Sequence, residues 1–599
     1  MERSHRMPFG AEYLDGKTRF RLWAPKAMNV DVCLTDGPTF SLNRDENGWF
    51  ELTTDCAKPG ARYQFQINGD LKVPDPASRF QPSDVHGPSE VIDPAAFEWM
   101  DQNWKGRPWE QAVIYELHLG TFTSAGTLAA AAENLDHLCN LGVTAVELMP
   151  LSDFPGRRNW GYDGVLPYAP DSCYGRPEDL KNFVQSAHAK GLMVFLDVVY
   201  NHFGPDGNYL RAYSPEFFTS RHHTPWGDAI NFDHPVVRDF FIHNALYWLE
   251  EYHFDGLRLD AVHAVLDDNR PDILTELAQT VRQKLQRQNH KRFIHLVLEN
   301  ENNQARYLRR ELYDAQWNDD IHHAAHVLAT GETDGYYSDY AQHPLCELGR
   351  CLAEGFAYQG DYSAYQEANR GEPSRDLTPT RFVSFLQNHD QIGNRAFGER
   401  ILELAPPEAV RAMMAIFLLA PAPPLLFMGE EFGARTPFLF FCDFHGELAN
   451  AVTEGRRNEF RRFQKFSSAE SRAQIPDPNS EETFLRSKLD WENSSAPEHS
   501  EWFNFYRELL AIRHSRIVPL LRGIGHNFAG YHVAETGALS VDWTLAEEQH
   551  LRLLANPGSR TLSGVTQIEG EPLFSTKGAT AALNDHQLPP WSVVWTLQI

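Results

Sequence analysis

The run Leu192-Met-Val-Phe-Leu-Asp197-Val-Val-Tyr-Asn201-His202 decides how the chain is read. Leu192–Val199 is almost continuously apolar, as a strand buried on both faces should be. Before it, Leu180, Phe183, Val184 and Ala187 keep the i, i+3, i+4, i+7 spacing of an amphipathic helix. That helix closes at Lys190-Gly191, with a cation and a C-terminal glycine. After it, the strand gives way to the polar groups of Asp197, Asn201 and His202. A capped helix, a buried strand and a polar strand end make one repeat of a parallel α/β fold.

The same texture recurs on both sides. Val113–Leu117, Val143–Met149, Gly256–Leu259, Phe293–Leu298, Phe382–Leu386 and Leu425–Met428 are further strand candidates, and Val237, Phe241, Ala245 and Trp248 mark another helix. Repeated over about 400 residues, such units predict an α/β fold, a (β/α)₈ TIM barrel with inserted loops, over residues 106–510. A doubly wound sheet is the competing arrangement, but no Gly-x-Gly-x-x-Gly follows the first strand. Residues 1–105 change to short alternating strands, with Phe20 and Leu22 in one and Tyr63, Phe65 and Ile67 in another. Asn47-Gly48 and Asn68-Gly69 supply turns, so an N-terminal β-sandwich is expected. Residues 511–599 predict a C-terminal antiparallel β domain, with Leu539, Val541 and Trp543 on one face and Trp591, Val593, Trp595 and Leu597 on another.

Composition excludes several function classes. The 599 residues carry a formal charge of −27, which disfavours binding to nucleic acid or to anionic membranes. No apolar run is long enough to span a membrane, and the N-terminus, Met1-Glu-Arg-Ser-His-Arg6, leads into no signal core. Seven cysteines, an odd number without CxxC pairs, read as reduced thiols of a cytoplasmic protein.

In a barrel, chemistry gathers at the C-terminal strand ends. Four strand ends are conspicuously polar: Asp197 to His202, Arg258-Leu-Asp260, Glu299-Asn300 and Asn388-His-Asp390. Three strand-end carboxylates, an arginine and two histidines suit glycoside hydrolysis, in which one carboxylate attacks the anomeric carbon and another acid protonates the leaving oxygen. Arg258 and Asp260 are two residues apart and share one side of their strand, where a fixed cation would keep Asp260 ionised. Asp197 is expected to order its neighbours. His202 and His389 can donate to sugar hydroxyls, and Trp160, Tyr162 and Trp317 can stack on pyranose faces. Glu301 is a rival acid, but the apolar run stops at Leu298, so Glu299 better fits the strand end.

With these residues in place, the chain resembles the α-amylase family, glycoside hydrolase family 13. The four motifs are Asp197-Val-Val-Tyr-Asn-His202, Gly256-Leu-Arg-Leu-Asp-Ala-Val-His263, Val297-Leu-Glu-Asn300 and Phe385-Leu-Gln-Asn-His-Asp390. The resemblance implies Asp260 as nucleophile, Glu299 as acid/base and Asp390 as transition-state stabiliser. It places Arg258, His202 and His389 at the sugar beside the scissile bond. Trp160-Gly-Tyr-Asp-Gly-Val165, Ala315-Gln-Trp-Asn-Asp-Asp-Ile-His-His323, Gly331-Glu-Thr-Asp-Gly-Tyr-Tyr337, Asn388-His-Asp-Gln-Ile-Gly-Asn-Arg395 and Phe427-Met-Gly-Glu-Glu-Phe-Gly-Ala434 resemble one branch of that family. That branch cleaves the α-1,4 bond next to the terminal trehalose of maltooligosyltrehalose, releasing trehalose and a maltooligosaccharide. It implies substrate contacts from Tyr162, Asp163, His263, Trp317, Asp319, His322 and Arg395, with His323 and Glu430 or Glu431 as further candidates for a polar trehalose pocket.

The resemblance implies no cofactor and no required metal. Many amylases hold calcium near the motif containing Asn201, but no EF-hand-like spacing is visible here. A monomer is expected. Retention of configuration requires the Asp260 and Glu299 carboxyls to stand about 5–5.5 Å apart. A glycogen branching or debranching enzyme shares the same three carboxylates and is the nearest rival. A catalytically silent carbohydrate-binding protein would have lost one of them.

Overall fold

The computed structural model describes residues 4–224, 227–286, 292–309, 312–492, 494, 496–524 and 529–598. Met1–Arg3 of the polar N-terminus lie outside the described residues. The centre is a ring of eight parallel strands: β1 Ile114–Leu117, β2 Ala145–Leu148, β3 Met193–Val198, β4 Gly256–Leu259, β5 His295–Leu298, β6 Ala315–Trp317, β7 Phe382–Val383 and β8 Leu425–Phe427. They run in the order β8-β1-β2-β3-β4-β5-β6-β7, and a parallel bridge from Ser384 to Pro424 closes the ring. This is the expected TIM barrel rather than a doubly wound sheet.

Seven of the eight strands lie within or beside the apolar runs. β6 escaped because three residues, Ala-Gln-Trp, are too short to show a period. β7 is shorter than the run suggested: its ladder stops at Val383, and beyond it only the single bridge to the Pro423-Pro424 segment continues.

The helix Pro177–Ala189 buries Leu180, Phe183, Val184 and Ala187 and stops at Lys190, with Gly191 at φ +78°. Helix Pro235–Glu251 buries nearly all of its faces, not one stripe, because the N-terminal domain covers its outer side. Phe9 packs edge-on against Phe240, and Arg79 forms a fully buried ion pair with Glu251 at 3.0 Å. Removing either partner of such a pair costs about 3–5 kcal/mol, so this contact fixes the sandwich to the barrel.

The sandwich has two antiparallel sheets, one around Lys17–Trp23 and one around Arg62–Ile67. Asn68 and Gly69, both at positive φ, form the tight turn between Arg62–Ile67 and Leu71–Val73. In the C-terminal domain, Val541 pairs with Leu553 and Leu553 with Trp595. Cross-strand partners share a sheet face, so the two expected stripes lie on the same face, not on different ones. Trp543 and Trp595 stack there at 5.5 Å and donate their indole N–H groups to Leu352 and Ala415 on barrel helices. Trp591 precedes the strand Ser592–Gln598 and lies outside that stripe. Helix Pro497–Ile512 spans the expected 510/511 boundary. The seven cysteines are unpaired. No helix among the described residues is long and apolar enough to cross a membrane.

Candidate active site

Alternation along the strands builds the site. Glu116 on β1, Glu147 on β2, Asp197 on β3 and Arg258 on β4 occupy facing positions: Glu116 is in register with Glu147, and Asp197 with Arg258. Arg258 is completely buried and binds three carboxylates. Its Nη1 donates to Asp197 Oδ2 at 2.5 Å and to Asp260 Oδ1 at 3.0 Å, and its Nη2 donates to Glu299 Oε2 at 2.6 Å. The ring of Trp317 covers the guanidinium at 4.1 Å. Charge-assisted bonds in a dry environment are strong and fix geometry.

Asp260 also accepts from the Asn201 amide at 2.8 Å. The next residue, Ala261, sits in the left-handed region at φ +41°, a strained position for a side chain with a Cβ. That turn aims the Ala261 N–H at Glu299 Oε2, 2.9 Å away. Asp197 accepts from Arg258 and from the Tyr162 hydroxyl at 2.6 Å, the ordering role expected of it. Burial, with Asp260 nearby, raises its pKa to about 7 against the pull of Arg258.

Tyr162 is placed by the Gly161 turn. Gly161 has φ +104°, and a Cβ there would come 2.2 Å from the Pro150 carbonyl oxygen, so no other residue fits. The Tyr162 ring stacks on His389 at 5.1 Å and remains partly exposed. Asp390 follows His389 on a short helix and accepts from Asn394 at 3.1 Å. Burial and the neighbouring Glu299 push its pKa up, and His389 opposes them.

Glu299 and Asp390 open into a cavity of about 260 Å³. Its other walls include His263, Glu301, Asp319, His323, Tyr365 and Arg370. Asp319 begins the helix Asp319–Thr330. Burial, with Glu299 beside it, pushes its carboxyl well above the usual range. Its neighbour Asp320 points into the protein and accepts from Tyr340, Asn303, Arg370 and the backbone of Ala357 and Tyr358. That hub fixes the hairpin Asp361–Ser363/Ala368–Arg370, which carries Tyr365 and Gln366 over the cavity.

Other expected residues fall elsewhere. His322 is spent on the Leu386 carbonyl and the Tyr337 hydroxyl; its neighbour His323 lines the cavity instead. A one-residue step on a helix turns a side chain by about 100°, which spacing alone could not resolve. Arg395 is a bidentate partner of Glu332, and Asn394 takes the cavity wall. Trp317 is buried on Arg258, and Trp160 is buried against Phe438, so neither presents a face to sugar. Glu430 bonds Tyr506 and Glu431 bonds Tyr115 and His137, both fully buried away from the cavity. His202 bonds the Tyr162 carbonyl and the Asn201 side chain, so it supports the Tyr162 turn. Asp163 accepts from Asn159 within the same loop. Asn201 spends its amide on Asp260 and its carbonyl on His202, and no cluster among the described residues is arranged to hold a metal. Sequence reasoning missed Glu116 and Glu147, although a carboxylate inside an apolar strand was a visible signal.

Comparison with known proteins fits this geometry. A family model described as the α-amylase catalytic domain matches residues 78–225, and one for carbohydrate-binding module 48, the isoamylase N-terminal domain, matches residues 8–88. A domain of unknown function matches residues 526–595. Malto-oligosyltrehalose trehalohydrolase of Deinococcus radiodurans is 44% identical over 517 residues, covering 85% of this chain and 83% of its own. The chain belongs to the malto-oligosyltrehalose trehalohydrolase family. The Saccharolobus solfataricus member is 40% identical over 516 residues, 85% of this chain and 87% of its own. The crystal structure of an α-amylase candidate from Salmonella typhimurium matches with a TM-score of 0.94 at 44% identity, over 99% of this chain and 100% of its own. A 1,4-α-glucan branching enzyme of Pseudoalteromonas atlantica is 35% identical, but over only 42% of this chain and 38% of its own.

Proposed function

We propose that this chain hydrolyses the α-1,4-glucosidic bond next to the terminal trehalose of maltooligosyltrehalose, with retention, releasing trehalose and a maltooligosaccharide. The relatives named above support the trehalose specificity, and the observation that carries retention is one buried guanidinium, Arg258, shared by Asp260 and Glu299. Carboxylates bound to the two ends of one guanidinium suit the short separation of retaining enzymes, about 5–5.5 Å, better than the wider inverting arrangement.

In the first step Glu299 protonates the bridging oxygen while Asp260 attacks the anomeric carbon and forms a β-glycosyl ester. Arg258 and Asn201 hold Asp260 in place for in-line attack. Asp390 steadies the positive charge that develops on the sugar. Trehalose departs, Glu299 takes a proton from water, and that water displaces Asp260 to give the α-anomer. Beyond Glu299, the cavity offers Asp319, His323, Glu301 and Arg370 to a hydroxyl-rich leaving group. Such a site discriminates because an ill-fitting sugar leaves buried polar groups unpaired.

The unpaired cysteines support a cytoplasmic location. Incubation with maltooligosyltrehalose and, separately, with amylose tests the reading: free trehalose from the first is expected, whereas new α-1,6 branches from the second would replace hydrolysis with glycosyl transfer.

A further inference from the structure

Glu116 takes no step in the mechanism above, yet it is tied to the site more tightly than most of its members. It lies on β1 with its side chain 1% exposed. Its Oε2 accepts from the backbone N–H of His389 at 3.0 Å, and its Oε1 meets the ring Nδ1. Two bonds from one carboxylate leave the imidazole little freedom to turn. The ring Nε2 then lies 2.8 Å from the Tyr162 hydroxyl, which itself donates to Asp197 Oδ2. A hydroxyl that gives its hydrogen to Asp197 can only accept from His389, so Nε2 bears a hydrogen. Nδ1, facing a carboxylate, bears the other.

We propose that Glu116 is a positioning residue that fixes His389 as an imidazolium against Tyr162 and Asp390; this rests on the reading that Asp260, Glu299 and Asp390 form the active site. Burial works against this cation, but Glu116 and Asp390 outweigh it and raise the His389 pKa to about 9. Charged groups face the ring from several elements, and Asp197 on β3 shares the Tyr162 hydroxyl with Nε2. Arg258 on β4 opposes the charge, and Asp390 Oδ1 lies 3.5 Å from Nε2. Glu147 on β2 is in register with Glu116, and burial, then Glu116 itself, push its carboxyl well up. His118, following β1, is held neutral by burial, its pKa down at about 3. Trp160 and Trp317 flank the ring without charge. The consequence reaches the chemistry through Asp390: burial and Glu299 raise its pKa, and the fixed cation pulls against them.

The test is Glu116→Gln in the full chain, with Glu116→Asp as the conservative variant. Histidine-labelled protein reports the His389 titration by NMR, and kcat is followed on maltooligosyltrehalose across pH. In Glu116→Gln the His389 midpoint falls by about two pH units. Its kcat stays near wild type at pH 5 and drops about tenfold or more at pH 8, with KM little changed. Glu116→Asp restores much of both. An unchanged His389 midpoint, or a loss of kcat equal at every pH, overturns the proposal. If Glu116→Gln does not fold, the wild-type midpoint decides: a value near 9 supports the clamp, and one at or below the ordinary 6.5 refutes it. Absence of trehalose release by wild type would defeat the proposed function while leaving the NMR titration readable.

Discussion

At one end of the barrel, Trp109, Ile114, Ala145, Phe195 and Leu425 fill the interior with apolar surface. Two residues beyond Ile114, Ala145, Phe195 and Gly256 on their strands, Glu116, Glu147, Asp197 and Arg258 fill it with ionisable groups. The alternation of a pleated strand converts a step of two positions into a change of layer. Gly256 shows how tightly the lower layer is filled: a Cβ there would lie 2.8 Å from the Phe195 ring. The lower end repays burial directly. The upper end gathers carboxylates around Arg258 and His389, and what it gains is orientation of Asp260, Glu299 and His389. The comparison teaches that stability and chemistry are separable along each strand.

The largest expected effect breaks the upper layer alone. Asp260→Asn should lower turnover on the order of 10⁴-fold or more while leaving thermal unfolding close to wild type; substantial residual turnover would move the nucleophile elsewhere. Next, Phe195→Ala cuts into the lower layer. It should cost about 3–5 kcal/mol in denaturant unfolding with KM unchanged, and a large KM change would show that the layers are coupled.

A smaller effect concerns the proton on His389. Its folded pKa of about 9 exceeds its ordinary value near 6.5, so the fold binds this proton more tightly than the unfolded chain. The stabilisation is complete below about pH 6.5 and fades as pH rises through about 9. Denaturant titrations of wild type and Glu116→Gln should therefore converge at high pH; a constant difference from pH 6 to 10 would contradict this. The smallest effect is Glu430→Gln. Glu430 follows β8 in the short helix Glu430–Phe432 but faces Tyr506 rather than the cavity, and burial raises its pKa to about 7. Stability should change by less than about 1 kcal/mol, and KM should not change.

The barrel was legible because long apolar runs and polar strand ends report burial and direction. β6 was not, since three residues carry no period. The carboxylates Asp260, Glu299 and Asp390, with Arg258, were legible from their strand-end positions. The cavity wall was less so: Asp319 against Asp320, and His323 against His322, are decided by helix rotation. Trp160 and Trp317 illustrate a further limit, because composition cannot tell a sugar platform from a core ring. Glu116 was hidden by the opposite habit, a charge passed over inside an apolar run.

Proton NMR of the first products formed from maltooligosyltrehalose tests the central claim most directly. The shared Arg258 geometry and the family predict trehalose together with a maltooligosaccharide that appears first as its α-anomer. A β-anomer formed first, or a digest without trehalose, would contradict the account.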